Sequence, residues 1–190
     1  IEHASQIGAC CIVIHMGKQL NMTIAESINN MYMSLLYVHE QTKNHNNVKI
    51  LLETSTGQGS EMCYMLEDLS HFYKKISGHK NKDIAKRFGI CVDTCHIFEA
   101  GYDLRNDDHI QAYIKKFDEL IGLDHISLIH LNDSKKDMGL RVDRHANIGD
   151  GKIGLEAFQC LMTSQALKPL PKYLETPDGP TAWKKEIALL

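Results

Sequence analysis

Apolar residues along this chain fall into two alternating patterns. Five short runs rich in aliphatic and β-branched side chains predict buried strands at 9–14, 48–52, 88–92, 126–129 and 172–174. Apolar residues spaced three and four apart predict amphipathic helices at 22–38, 62–72, 107–121 and 154–164. Apolar strands that alternate with helices are typical of a parallel sheet covered on both faces. The pattern therefore predicts an α/β fold with about five strand–helix units.

The stretches between these elements are polar. Thr23 stands at the position of an N-terminal cap for the first long helix, and the polar residues 41–47 end that helix. A second polar segment runs from 132 to 154. The chain contains no low-complexity tract, inter-domain linker or short repeat, so we expect residues 1–190 to belong to one domain.

Composition narrows the class of protein. With 190 residues, 43% hydrophobic and 24% charged, the chain can bury a core but is shorter than the roughly 250 residues of an eight-stranded (β/α) barrel. No run approaches the ~18 apolar residues of a membrane span, and the first residues lack a signal-peptide pattern. Six cysteines are too few for a disulfide scaffold. We therefore expect buried thiols in an intracellular, reducing compartment, the cytoplasm or nucleus, and a protein that is not secreted.

A potential metal ligand follows each of the five predicted strands, at intervals of about 40 residues. These ligands are His15, Glu53, Asp93, His130 and Glu175. The carboxyl ends of the strands of a (β/α) barrel all meet at one face, where its active sites lie. A mixture of imidazole and carboxylate ligands is typical of Zn²⁺ and Mn²⁺ sites. The sequence therefore predicts a metal centre at this face.

Three more candidate ligands lie close behind these strand ends. His96 follows Asp93 by three residues, and Asp143 and His145 form an Asp-x-His pair. In extended backbone, alternate side chains point to the same side, so this pair is placed to share one ion. Eight candidate ligands exceed the four of a tetrahedral zinc, which indicates a multinuclear site.

Single residues of these types have simpler interpretations. An Asp at a strand end is commonly a helix cap, and a lone His is more often hydrogen-bonded than metal-bound. The glycines of Gly57-Gln-Gly59 more often form turns than phosphate cradles. The methionines at helical spacing are expected in the core. Histidines without a strand-end position are treated as solvated or structural: His3, His39, His45, His71, His79, His109 and His125.

Eight short segments of the chain form one combination of motifs: IHMG (14–17), LETSTGQG (52–59), CVDTCH (91–96), AGYDL (100–104), HLNDSK (130–135), RVDRH (141–145), IGDG (148–151) and LET (174–176). Together they resemble the endonuclease IV family of apurinic/apyrimidinic endonucleases. These segments span nearly the whole chain, and CVDTCH, HLNDSK and RVDRH are specific in combination. The resemblance implies a (β/α)₈ TIM barrel that carries three zinc ions, here a partial barrel, with Mn²⁺ as an alternative ion.

The resemblance also implies a role for each ligand. His15 would bind the first zinc, and Glu53 would bridge the first and second and serve as the catalytic carboxylate. Asp93, His130 and Glu175 would complete the second site, and His96, Asp143 and His145 would hold the third. The implied reaction is hydrolysis of the phosphodiester 5′ to an abasic site in double-stranded DNA, which leaves a 3′-hydroxyl. The enzyme is expected to be monomeric and to have no membrane partner.

The chain departs from the family pattern in two respects. Met16 stands where the family has proline, which alters the stiffness of the loop. Five strands are present where the barrel has eight, and His3, on a predicted helix before the first strand, does not replace a further histidine that the family uses at the first zinc. We therefore expect residues 1–190 to be the C-terminal part of a larger enzyme, and to be impaired as a catalyst on their own.

Two alternative functions remain open. A sugar isomerase or epimerase of the xylose-isomerase-like group also gathers His, Glu and Asp around one or two divalent ions. A non-catalytic, zinc-stabilised DNA-binding module would need a basic groove, which the formal net charge of −3 disfavours. Local basic residues in the polar loops are nevertheless candidates for DNA contacts: Lys135, Arg141 and Arg144, with Lys136 and Lys152 nearby.

Overall fold

The computed structural model describes residues 1–190 and contains eight α-helices and seven strands. The strands are β1 (Cys11–Ile14), β2 (Lys49–Glu53), β3 (Phe88–Asp93), β4 (Ile126–His130), β5 (Asp133–Ser134), β6 (His145–Ala146) and β7 (Lys172–Tyr173). The helices are α1 (Glu2–Gln6), α2 (Ile24–Gln41), α3 (Leu66–Ser77), α4 (Lys82–Arg87), α5 (Thr94–Glu99), α6 (Asp107–Leu120), α7 (Leu155–Thr163) and α8 (Gly179–Leu189). Single 3₁₀ turns lie at Lys43–His45 and Leu123–His125.

Five strands form one parallel sheet in the order β1-β2-β3-β4-β7. All five predicted strands are present, and the fold is the predicted partial (β/α) barrel. The first strand is shorter than predicted, because it begins at Cys11. The end strands β1 and β7 each have a strand partner on one side only.

The two faces of the sheet bury different sets of apolar side chains. Because side chains alternate along a strand, Ile50, Leu52 and Ile90 belong to the large core beneath the helices. The intervening positions form a smaller apolar layer on the inner face of the sheet, made of Leu51, Cys91 and Leu128 with Cys11 and Val13 at its margin. The candidate site lies next to this inner layer, at the carboxyl ends of the strands.

The helices largely match the predicted positions. Thr23 caps α2 through a capping box, in which its hydroxyl accepts the Glu26 N–H and the Glu26 carboxylate accepts the Thr23 N–H. The predicted start of the next helix at Met62 is wrong, because α3 begins at Leu66. The Met62 N–H donates to the carbonyl of Gly17 at 3.1 Å, and Cys63 has a positive φ of 58°, so neither residue continues a helix. Helices α4, α5 and α8 were not predicted.

The polar segment at 132–154 is folded rather than open. Its strands β5 and β6 form a small antiparallel ladder in which Asp133 faces Ala146 and Ser134 faces His145. The ladder starts shortly after β4. Its second strand, β6, places the Asp-x-His pair at the carboxyl end of the parallel strands. A segment whose sequence is typical of a loop is therefore an ordered hairpin at the carboxyl end of the strands.

The expectation of buried thiols holds for half of the cysteines. Cys63, Cys91 and Cys95 are buried, Cys11 and Cys160 are half-buried, and Cys10 is exposed. Cys10 immediately precedes β1 and is exposed although its carbonyl accepts the Lys49 N–H at 2.8 Å. None of the helices combines the length and the apolar composition that crossing a membrane requires.

Candidate metal centre

Strand geometry brings the predicted ligands to one face of the sheet. Glu53, Asp93 and His130 each lie two residues beyond a member of the inner apolar layer, so their side chains point to the same side as Leu51, Cys91 and Leu128. His15 has the same relation to Val13. The register of the ladder pairs Asp93 with His130 and Ile14 with Leu52, which aligns the strand ends.

Glu53 lies at the middle of this cluster and is almost fully buried. One carboxylate oxygen, Oε2, lies 3.2 Å from His15 Nε2. The other, Oε1, lies 2.8 Å from His130 Nδ1 and 3.7 Å from His96 Nδ1. A carboxylate that presents its two oxygens to different groups has the arrangement of a bridging ligand.

A second group contains four ligand atoms, one of them on His130. The His130 Nδ1 is 3.1 Å from Glu175 Oε2 and 3.8 Å from Asp93 Oδ2. Together with Glu53, these atoms all lie within 4.8 Å of one another. The set is identical to the one that the motif comparison assigns to a single ion.

A third group is formed by the last three predicted ligands. Asp143 Oδ1 lies 3.2 Å from His96 Nε2 and 3.4 Å from His145 Nε2. Asp93 Oδ2 also lies 3.9 Å from His145 Nε2, so Asp93 borders both this group and the previous one. All eight predicted ligands therefore lie in one continuous cluster.

The orientation of two imidazole rings tests whether this cluster suits a metal. His96 Nδ1 is 2.8 Å from the Thr54 carbonyl oxygen, and His145 Nδ1 is 3.2 Å from that of Glu175. A carbonyl only accepts, so each Nδ1 must donate, and each Nε2 is left as the atom that binds a proton or a cation. Both Nε2 atoms are buried and make no hydrogen bond. Buried nitrogens held this way, beside several carboxylates, fit a divalent cation such as Zn²⁺.

The electrostatics of the cluster show the same demand for positive charge. Burial raises the pKa of Glu53, but hydrogen bonds with His130 and His15 outweigh it and lower the pKa to about 2. Burial lowers the pKa of His96, yet the charge of Asp93 and the adjacent Asp143 carboxylate raise it to about 10. Neighbouring imidazoles likewise lower the pKa of Asp143. Without a metal the histidines therefore carry the compensating protons, at the atoms that a cation would occupy.

Two further residues support the cluster without belonging to it. The buried Asn132 amide donates to Asp93 Oδ2 at 2.6 Å and accepts the Glu175 N–H at 2.8 Å, so it joins the ends of β3 and β7. Gln58 Oε1 accepts the Asp143 N–H at 2.9 Å. The sequence interpretation missed both residues. Their only signal was their position inside the HLNDSK and LETSTGQG segments.

The glycines at 57 and 59 form turns, as the sequence predicts. Gly57 and Gly59 both have positive φ angles, of 81° and 62°. A Cβ at Gly57 would lie 2.7 Å from the ring of Tyr64, so only glycine fits there. This turn is what directs Gln58 toward Asp143.

The three basic candidates for DNA contact are exposed and lie on the hairpin beside the cluster. Lys135 follows β5, and Arg144 precedes β6. Arg141 has a left-handed backbone, with φ of 56°, and its guanidinium lies 4.4 Å from the centre of the Tyr64 ring. All three residues are exposed, and Arg144 lies between the candidate ligands Asp143 and His145 along the chain.

Comparisons with known proteins show the family to which the chain belongs. The family described as xylose isomerase-like TIM barrel matches residues 1–190. A protein named probable endonuclease 4 from Protochlamydia amoebophila is 40% identical over 190 residues, which are 100% of this chain and 64% of that relative. The resemblance found in the motif segments is thereby confirmed.

Two solved structures share the fold. Endonuclease IV from Thermus thermophilus matches with a TM-score of 0.80 at 26% identity, covering 99% of this chain and 62% of that chain. A D-tagatose 3-epimerase-like protein matches with a TM-score of 0.72 at 19% identity, over 99% and 63% of the two chains, which shows the fold alone. This chain therefore spans less than two thirds of the length of these similar proteins.

Proposed function

The chain belongs to the xylose isomerase-like TIM barrel family, and from this premise we propose that it is the metal-binding part of a DNA-repair endonuclease. The proposed reaction is hydrolysis of the phosphodiester on the 5′ side of an abasic site. The observation that carries the proposal is the single cluster of eight ligands, in which Glu53 joins two groups and Asp93 borders the third. Residues 1–190 are proposed to be the C-terminal part of one barrel domain.

Three groups of side chains would hold three Zn²⁺ ions. The first comprises His15 and Glu53, the second comprises Glu53, Asp93, His130 and Glu175, and the third comprises His96, Asp143 and His145. Zinc would supply Lewis-acid activation of the phosphoryl group and charge compensation for the leaving oxygen. Mn²⁺ accepts the same donor types and is the alternative ion. The first group has only two ligands in this chain.

The protein's own residues prepare the site for a phosphodiester. The Thr54 and Glu175 carbonyls orient the two imidazoles of the third group, and Asn132 fixes the Asp93 carboxylate. The apolar inner layer beneath the cluster lowers the polarity of its surroundings, which strengthens electrostatic interactions above it. Lys135, Arg141 and Arg144 are proposed to contact flanking phosphates, which would position the duplex.

The number of ligand groups favours the nuclease over a sugar isomerase or epimerase. Such an enzyme needs one or two ions and a base, for which the groups around Glu53 and His130 would be sufficient. The third group, with the exposed basic residues beside it, has no use in that reaction. In phosphodiester hydrolysis, the third ligand group would hold an ion that stabilises the charged leaving oxygen. The exposed basic residues would contact the phosphates of a polyanionic substrate.

Zinc analysis and a defined DNA substrate test the proposal. The chain, and in parallel the longer protein proposed to contain it, is loaded with zinc, and bound metal is counted. Each is then incubated with a duplex that carries one abasic site and with the same duplex lacking it. We expect the longer protein to cut only the abasic duplex, 5′ to the lesion, with a 3′-hydroxyl end, and to behave as a monomer in sedimentation. Zinc-loaded longer protein that leaves the abasic duplex intact would contradict the proposal.

A further inference from the structure

A further buried carboxylate, that of Asp133, lies in the HLNDSK segment but outside the ligand cluster. Asp133, the residue after Asn132, has no exposed surface. Its Oδ1 accepts the N–H groups of Ser134 at 2.8 Å and Ile153 at 2.9 Å. Its Oδ2 accepts those of Gly149, Gly151 and Gly154 at 3.0, 3.1 and 3.3 Å. Five backbone donors therefore surround one carboxylate.

Four of these donors belong to the chain that returns from the Asp-x-His pair. Asp133 begins β5. The four donors at 149, 151, 153 and 154 lie shortly after β6. The Lys135 N–H also donates to the Arg144 carbonyl, and the Lys152 N–H donates to the Ser134 carbonyl. The carboxylate thus joins the two ends of the segment that carries Asp143 and His145.

The glycines of the IGDG segment make this arrangement possible. Gly149 and Gly154 have positive φ angles, of 88° and 87°, which L side chains rarely adopt. A Cβ at Gly151 would collide with the Asp133 carboxylate. The HLNDSK and IGDG segments are therefore two halves of one structural unit.

From this geometry we infer that Asp133 is a positioning residue for the third ligand group. Both oxygens are saturated with N–H donors, so Asp133 does not bind a metal itself. By binding the backbone N–H groups of residues 149–154 to the start of the hairpin, it keeps Asp143 and His145 opposite His96. Hydrogen bonds to an ionised carboxylate are about twice as strong as neutral ones, so five of them make a rigid closure. The role toward zinc rests on the proposed function, whereas the closure of the hairpin does not.

The test separates these two parts by using amide hydrogen exchange alongside zinc counting. Asp133→Asn keeps the size of the side chain but removes its charge and turns an NH₂ group toward N–H donors. Gly151→Ala disturbs the same contact from the other side. Tyr73→Phe is the matched control, because Tyr73 is buried and bonds the Phe88 carbonyl at 3.2 Å, away from the hairpin.

We expect both hairpin variants to speed exchange of the Asp143 and Lys135 amides at least about tenfold, the size that a lost charged hydrogen bond predicts. They should also lose the zinc of the third group and retain the zinc of the second. The control should change neither. Unchanged exchange at Asp143 and Lys135, with faster exchange only at 149–154, would overturn the inference.

Two measurements remain decisive if the variants do not fold. In the unmodified chain, the amides of Gly149, Gly151, Ile153 and Gly154 must exchange slowly, and rapid exchange there overturns the closure. An unmodified chain that binds no zinc but shows slow exchange contradicts the proposed function and leaves the closure supported. Where the Asp133→Asn variant does fold, zinc content equal to that of the unmodified chain overturns the positioning role alone.

Discussion

Glu53 joins the first and second ligand groups of the candidate site. It contacts His15 through one oxygen and His130 through the other, and its pKa is lowered to about 2. The carboxylate therefore stays ionised throughout the physiological pH range. A neutral isostere at this position would keep the shape of the site and remove the charge that joins its groups.

Glu53→Gln in the longer protein is expected to lower turnover on abasic DNA more than about 100-fold, because changes even to outer partners of metal ligands cost about 10- to 100-fold. Affinity for abasic DNA should change much less, since the basic loops are untouched. Single-turnover cleavage and filter binding measure the two effects. Glu119→Gln, on the exposed side of α6, is the matched control and should retain normal turnover. Normal turnover in the Glu53 variant would exclude the bridging role.

Lys135 tests the nucleic-acid side of the proposal. Its ammonium is exposed after β5 and belongs to no salt bridge. Lys135→Ala should weaken DNA binding uniformly across sequences and reduce the slope of log affinity against log salt by about one, because one phosphate contact is lost. Lys80→Ala, before α4 and near the other end of the strands, should leave the slope unchanged. Identical salt slopes for the two variants would remove Lys135 from the DNA contacts.

Asp93 lies at both a strand end and a helix start, and it serves both elements of the site. Asp93 ends β3 and caps α5, because its Oδ1 accepts the His96 N–H at 2.9 Å while Oδ2 faces His130 and His145. The helix-cap interpretation and the ligand interpretation of Asp93 are therefore compatible. The spacing of three residues between Asp93 and His96 follows from this first turn of α5, which brings His96 back toward the cluster.

The capping box of α2 contributes stability away from the site. Thr23→Ala removes the hydroxyl that accepts the Glu26 N–H at 3.3 Å, and should lower the free energy of unfolding by about 1 kcal/mol. Urea denaturation measures this loss. Thr23→Ser keeps the hydroxyl and should stay near the unmodified stability. Equal stability of the alanine and serine variants would show that the cap does not stabilise the fold.

The five-stranded sheet has two edges without a strand partner, at β1 and β7. An open edge exposes backbone donors and acceptors, and a barrel interior that is not closed admits water. The first ligand group contains His15 and Glu53 alone, and the His15 side chain is about half exposed. His15 therefore follows an edge strand, and its imidazole is open to solvent.

The 190-residue chain alone is therefore expected to bind fewer zinc ions and to cleave abasic DNA far more slowly than a longer relative. The 40% identical Protochlamydia protein, of which this chain covers 64%, is a suitable comparison. Calorimetric zinc titration and cleavage assays on both proteins measure the difference. Matching zinc stoichiometry and turnover would show that five strands are sufficient for zinc binding and catalysis.

Much of this fold and site was predictable from the order of residues. Strands, the capping of α2 by Thr23 and the strand-end ligands follow from local rules, because side-chain alternation and helical periodicity are properties of short segments. The turns at Gly57 and Gly59 follow in the same way. The positions of the eight ligands required only these rules and the motif resemblance.

Long-range contacts were beyond local prediction. Asp133 and Gly151 meet across a hairpin, Asn132 joins the ends of two separate strands, and Met62 leaves the helix because Gly17 binds its N–H. Each depends on a partner far away in sequence, so no periodicity signals it. The local order of residues therefore determined which candidate ligands lie at the strand ends, while the hydrogen bonds that hold them in place join groups that only folding brings together.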